Sequence, residues 1–262
     1  MRTPQEHGVA FLIALTTMCA TDRFIITPFL MYRVNKSDLK STRWFLLHFA
    51  ANLVGCVTGL NCLYTTLADP YNAANAIKYP DDSAFGASSA WPLTIVNAAH
   101  VYHMIGGFSL AGADYFHHLL FIPLLGFPGQ VLKWGPVQPA GCFFISGLPG
   151  GCTYLMLGLV KLGWMRSIKE KRITANLNSW VRVPGILITS FLCYQACIYA
   201  NHSLPSAYWM LPSMLLGPFN ALYYNKQAVA NLCAHRISLP PCPSFNVSLC
   251  SDSLSHVGSL TH

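Results

Sequence analysis

Charge is what this chain has least of. Of its 262 residues only 10% are Asp, Glu, Lys or Arg, while 53% are hydrophobic, and the mean hydropathy is +0.41. A soluble globular domain carries about 25% charged residues, so the deficit argues against a soluble protein. The missing charge leaves long apolar runs rather than the striped pattern of soluble helices. A C-x-x-C pair is also missing from the ten cysteines, which argues against a zinc ribbon or redox dithiol. Cys19, Cys56, Cys62, Cys142, Cys152, Cys193 and Cys197 lie inside apolar runs, where cysteine behaves as a small hydrophobe. No internal repeat is present, so a transporter built of two halves lacks support.

What the chain does have is seven apolar runs, at about 9–32, 44–67, 91–110, 112–132, 137–160, 182–200 and 206–224. Crossing about 30 Å of hydrocarbon takes roughly 20 helical residues. The expected fold is therefore all-α, a polytopic integral membrane bundle of about seven transmembrane helices over 1–224. Residues 225–262, rich in Ser and Pro, read as a flexible tail. The net charge of +7 reflects topology and not nucleic acid, because the basic residues fall between the runs. Arg33, Lys36, Lys40, Arg43, Lys161, Arg166, Lys169, Lys171, Arg172, Arg182, Lys226 and Arg236 share one side if there are seven spans. The other side holds Arg2, Lys78 and Lys133, with Arg23 in the membrane. The positive side is cytoplasmic, which makes the N-terminus lumenal or external and the C-terminus cytoplasmic. A cleaved signal peptide at 9–20 would put the first basic loop on the wrong side.

Smaller signals fit the same layout. Trp44, Trp91, Trp134, Trp164, Trp180 and Trp209 stand near span ends, as in an interfacial aromatic belt. Gly55 and Gly59 permit close helix approach. The stretch 143–151 reads as a kink or break in the fifth span. The sequons at Asn35, Asn201 and Asn246 are expected to stay unused, and Cys233 reads as an ordinary thiol or a palmitoylation site. Asp22 and Arg23 are expected to pair with each other or with a neighbouring helix.

The candidate site is the polar set inside the membrane, where ionisable groups are costly and face a protein interior. His100 and His103 share a face of the third span. Asp114, His117 and His118 share a face at the start of the fourth, by the i+3 and i+4 spacing of a helix. A carboxylate so placed fixes an imidazole tautomer and raises its basicity. Histidine then serves as a general base toward a hydroxyl or amine, or accepts an acyl group. That assigns His117, His118 and Asp114 as catalytic candidates, with His100, His103, Tyr102 and Ser146 as substrate-binding candidates. The alternative is that the histidines bridge helices and are inert. No metal is expected: membrane di-iron oxidases use repeated H-x-x-H-H boxes and about eight histidines, whereas this core offers four plus His48. No lysine lies in the last span to hold retinal, Lys226 being beyond it.

From Trp44 to Tyr224 the order of features resembles the TLC domain family, which includes ceramide synthases and translocon-associated proteins. The resemblance is carried by Ala113-Asp114-Tyr115-Phe116-His117-His118, the apolar 141–157, the basic 166–172, and Asn176 to Arg182. It implies an endoplasmic reticulum or other endomembrane protein of membrane-lipid homeostasis that binds or regulates lipid. It implies membrane lipids as partners, with a homo-oligomer or a second membrane protein as further possibilities, and no nucleic acid. Its enzymatic branch implies acyl transfer by the paired histidines with acyl-CoA as co-substrate; otherwise no cofactor is expected. Span five carries no Asp or Glu where ceramide synthases have acids; Ser146 and Gly147 stand there. Asp114, His117 and His118 also resemble the H-x-x-H-H box of fatty-acid elongases with its first histidine replaced. That absence favours the non-catalytic branch.

Overall fold

The computed structural model describes residues 3–75, 77–110, 112–132, 134–198 and 204–237. Among them there is no strand, and the helices join into seven rods. The first rod is α1 (Pro4–Ala20), a π turn (Thr21–Ile26) and α2 (Thr27–Met31); the second is α3 (Lys36–Ala68). The third is α4 (Trp91–Ile105), and the fourth is α5 (Gly112–Phe121), a π turn (Ile122–Gly126) and α6 (Phe127–Val131). The fifth is α7 (Val137–Cys142), a π turn (Phe143–Gly147) and α8 (Leu148–Lys161). The sixth is α9 (Ser167–Leu177), a π turn (Asn178–Arg182) and α10 (Val183–Ile198); the seventh is α11 (Leu204–Ile237). Four of the rods are long and apolar enough to cross a bilayer: Pro4–Met31, Lys36–Ala68, Val137–Lys161 and Ser167–Ile198.

One rule in the sequence explains all four π turns. Each ends two residues before a proline: Ile26 before Pro28, Gly126 before Pro128, Gly147 before Pro149, Arg182 before Pro184. Proline has no N–H, and its ring collides with the carbonyl four residues back. That carbonyl lies inside the π turn each time, and widening the turn by one residue relieves the clash without ending the helix. The stretch 143–151 is thus a widened turn in a continuous rod rather than a break. In α11 the helix carries Pro212 and Pro218 internally.

The chain starts cleanly. Thr3 caps α1, its hydroxyl accepting from Glu6 N (3.3 Å) while its own N–H donates to the Glu6 carboxylate (2.5 Å), a reciprocal capping box. α3 is the central rod and packs on α8, α4 and α7. Glycines make that packing close: a Cβ at Gly158 would lie 2.9 Å from Leu46, and one at Gly59 would lie 3.3 Å from Pro92. One apolar cluster joins the first rod, α3 and α4 through Met18, Leu30, Leu47, Ile95 and Ala98. A second joins the loop after α3 to α7, α10 and α11 through Ala73, Ala74, Val137, Cys193 and Met210, around Trp134. Large apolar side chains such as Phe24 (80% exposed) and Leu215 (71%) face outward, on the surface that hydrocarbon would cover.

Several expectations shift. The third rod stops at Ile105, short of 110, because Gly107 takes φ +78°. The sixth begins at Ser167 rather than 182, and α11 continues to Ile237, past 224; polar residues continue a helix when its inner face stays packed. Trp134 is fully buried and is not in an interfacial belt. Arg43, assigned to a basic loop, is buried in α3 and paired with Asp22. Arg182, assigned to the next basic loop, sits in a π turn facing the interior. Charge alone marked both as loop residues, whereas each is a lone cation on a helical inner face. Asp22 takes hydrogen bonds from Arg43 Nε (3.0 Å) and Nη2, Tyr102 Oη (2.9 Å) and Thr27 Oγ1 (3.2 Å). Asn35 holds the N-cap position of α3 without a side-chain capping bond; Arg2, Lys133, Asn201, Asn246 and the tail from 238 lie outside the described residues.

The connection 69–90 is a tied-down loop. Asp69 accepts from Lys78 Nζ (2.5 Å), Tyr79 Oη (2.5 Å) and Asn72 Nδ2 (3.0 Å). These donors hold its carboxyl below the usual range. The Asp69 carboxylate in turn raises Lys78 and Tyr79.

Candidate functional site

A cavity of about 360 Å³ lies between α3, α4, the fourth rod, α7–α8, α10 and α11. Three of the four π turns contribute to its wall: Ile122, Leu125 and Gly126 from one, Ile145 and Ser146 from the next, Arg182 from the last. A widened turn moves its side chains off the regular helical register, and π turns recur at functional sites. Most of the wall is apolar, as in pockets that hold drug-sized ligands. Its polar lining includes His48, Asn52, His100, His117, Tyr154 and Arg182, and other polar residues such as Asn97, Gln138 and Asn220 also reach the wall.

The candidates from sequence divide between wall and support. His100, His117 and Ser146 line the cavity. Ser146 bonds back to its own helix, its Oγ donating to Cys142 O (3.1 Å). His103 and His118 are buried and off the wall, with His103 Nδ1 and His118 Nε2 3.4 Å apart. His103 also stacks flat on Trp44, ring centroids 3.4 Å apart. Tyr102 belongs to the Asp22–Arg43 cluster and not to the cavity. Asp114 is half-buried on α5 and acts electrostatically on His118, Tyr154 and Tyr224.

The hydrogen bonds assign the ring protons. His100 Nδ1 lies 2.7 Å from Val96 O, a pure acceptor, so Nδ1 carries the proton. In the neutral ring Nε2 of His100 is then an acceptor. His117 Nε2, 3.1 Å away, must be the donor, which leaves the lone pair of His117 on Nδ1. The chain Val96 O, His100, His117 therefore fixes the His117 tautomer, the role expected of Asp114. A histidine so fixed presents a basic nitrogen without needing a carboxylate behind it.

Sequence reasoning did not single out His48, Asn52, Tyr154, Arg182 or Tyr224 as site residues. They come from four rods, and local spacing connects only His48 with Asn52, four residues apart on α3. Within the described residues, His48 Nδ1, Asn52 Nδ2 and Arg182 Nε are buried without a hydrogen-bond partner. No group of three His, Cys, Asp or Glu among the described residues is arranged to hold a metal ion.

Compared with known proteins, the chain matches no family model, no curated protein and no solved structure. Its reading rests on its own geometry.

Proposed function

We propose that this chain is a seven-span integral membrane protein, TLC-like, that binds a lipid in the cavity between its helices and acts in membrane-lipid homeostasis. The observation that carries the proposal is the cavity itself: a mostly apolar wall with histidine, arginine and amide side chains among its lining, and a position among rods fit to span a bilayer. Seven helical rods and the basic residues between the apolar runs support seven spans with the N-terminus lumenal and the C-terminus cytoplasmic. The Lys161–Asp38 pair (2.7 Å) and the Ser167–His235 contact (3.3 Å) join the ends assigned to the cytoplasm. The order of features from Trp44 to Tyr224 supports the TLC-like assignment and, with it, an endoplasmic reticulum or other endomembrane location.

A second reading is favoured by one specific observation, the fixed His117 tautomer. There His117 acts as general base in acyl transfer from acyl-CoA to a lipid hydroxyl or amine. Comparative lipidomics separates the two. Cells lacking the protein are rescued at matched level with wild type or with His117→Ala. Lipid binding predicts a changed lipid class that wild type restores and His117→Ala restores at least in part, since His117 is one of many wall residues. Acyl transfer predicts a missing product that only the wild type restores. No lipid change on loss of the protein sinks both.

A further inference from the structure

We infer that the ligand is a single-chain lipid with an acidic head, a carboxylate or phosphate, held at Arg182, its chain along the apolar wall; this rests on the cavity being a lipid site.

Arg182 carries the inference. It lines the cavity, its Nε is buried with no hydrogen-bond partner, and no described carboxylate pairs with it. An uncompensated guanidinium in such surroundings is costly, and an intramembrane ionisable group without a protein partner marks a functional site. The comparison with Arg43 is internal to the molecule: that buried arginine has its own aspartate, while Arg182 has none.

A second donor lies beside Arg182. Asn52 Nδ2, also buried and unpartnered, and Arg182 Nη2 both lie within 4 Å of the point where a Cβ at Gly150 would stand. The missing side chain at Gly150 keeps that space open to both. Tyr154, one turn along α8 from Gly150, and Tyr224 act electrostatically on Arg182. Both tyrosines line the same cavity, and neither hydroxyl makes a hydrogen bond with the described residues. A guanidinium and an amide N–H beside one space suit an oxyanion, and an arginine fork fits carboxylate or phosphate. A neutral or cationic head would leave the guanidinium unpaired. The volume, near the lower end for drug-sized ligands, suits one acyl chain better than a two-chain phospholipid. Leu93, Val96, Phe121, Ile145 and Ile186 supply the apolar wall.

The test uses the full chain purified in a non-ionic detergent, with radiolabelled oleate, oleyl phosphate and oleyl alcohol as probes. The acids should bind saturably and about ten- to hundredfold more tightly than the alcohol, since a charge-assisted hydrogen bond is lost with the neutral head. Whichever acid binds better names the head group. Arg182→Gln should erase the preference for acid over alcohol, and Arg182→Lys should keep part of it. Acetate and inorganic phosphate, lacking a chain, should not displace the lipid acid at equal concentration. Equal binding of acids and alcohol by wild type overturns the acidic head while leaving a lipid cavity in place. Failure of every lipid to bind a well-folded wild type overturns both. The acid–alcohol comparison needs no variant, so a poorly folding Arg182→Gln does not spoil it.

Discussion

Removing Arg43 should destabilise this protein more than removing Arg43 and Asp22 together. Asp22 is fully buried and relies on Arg43 for two of its hydrogen bonds. In Arg43→Met the side-chain volume is largely kept, but the carboxylate is left with only the Tyr102 and Thr27 hydroxyls. Breaking one side of a buried pair costs about 3–5 kcal/mol, whereas replacing both partners by apolar groups is often close to neutral. For a chain of this length roughly 2–4 °C of melting temperature follows each kcal/mol. The single variant should therefore melt about 6–20 °C below wild type. The double variant Asp22→Ala with Arg43→Met should recover more than half of that loss. The assay is thermal unfolding of the four proteins in one detergent at neutral pH. Additive losses would refute the reasoning, because they would mean that the two charges do not depend on each other.

Three other outcomes follow from the same structure. A Cβ at Gly185 would stand 2.2 Å from the Phe144 ring, so Gly185→Ala should cost about 1–3 kcal/mol by overpacking; unfolding that matches wild type would show that α10 and the π turn at 143–147 are not in contact. In ¹⁵N-histidine NMR of the neutral protein, His100 should be the Nδ1–H tautomer and His117 the Nε2–H tautomer, and the reverse pattern would remove the proposed base. The Asp69 cluster should be stable across a wide pH window. A lowered carboxyl contributes fully above the ordinary value near 4 and loses its contribution as pH falls through the folded value. Raised Lys78 and Tyr79 contribute fully below about 10 and lose theirs as pH rises through their folded values. Wild type should keep Trp134 shielded from a collisional quencher from about pH 4 to 10, with Asp69→Asn losing part of that shielding at pH 7; loss in wild type already at pH 6 would contradict the assignment.

The helical class was legible because hydrocarbon leaves a coarse signature, a run of apolar residues of the right length. The rod ends were less legible where charge was used as the marker. Arg43 and Arg182 looked like loop residues because single sequences do not show which cations face inward. The π turns were only partly in reach: Pro28, Pro128, Pro149 and Pro184 each follow one at the same offset, yet Pro212 and Pro218 sit within α11 without one; the reading of 143–151 as a kink touched one of them. The histidines were found as a cluster because their i+3 and i+4 spacings are local. Which of them line the cavity was not, because the His48–Asn52 face of α3 meets Tyr154 and Arg182 only through packing. Tyr102 shows the converse: its place beside two histidines suggested a site role, and a helix far away in sequence supplied its partner, Asp22.

The central claim is that a lipid lies inside the bundle, and photocrosslinking tests it most directly. Membranes containing the full chain are labelled with a photoactivatable, clickable fatty acid, irradiated, and the modified peptides mapped. The account predicts adducts concentrated on cavity residues such as Phe121, Ile145 and Ile186, and competed away by unlabelled fatty acid. Adducts confined to outward residues such as Phe24 and Leu215, insensitive to competitor, would contradict it.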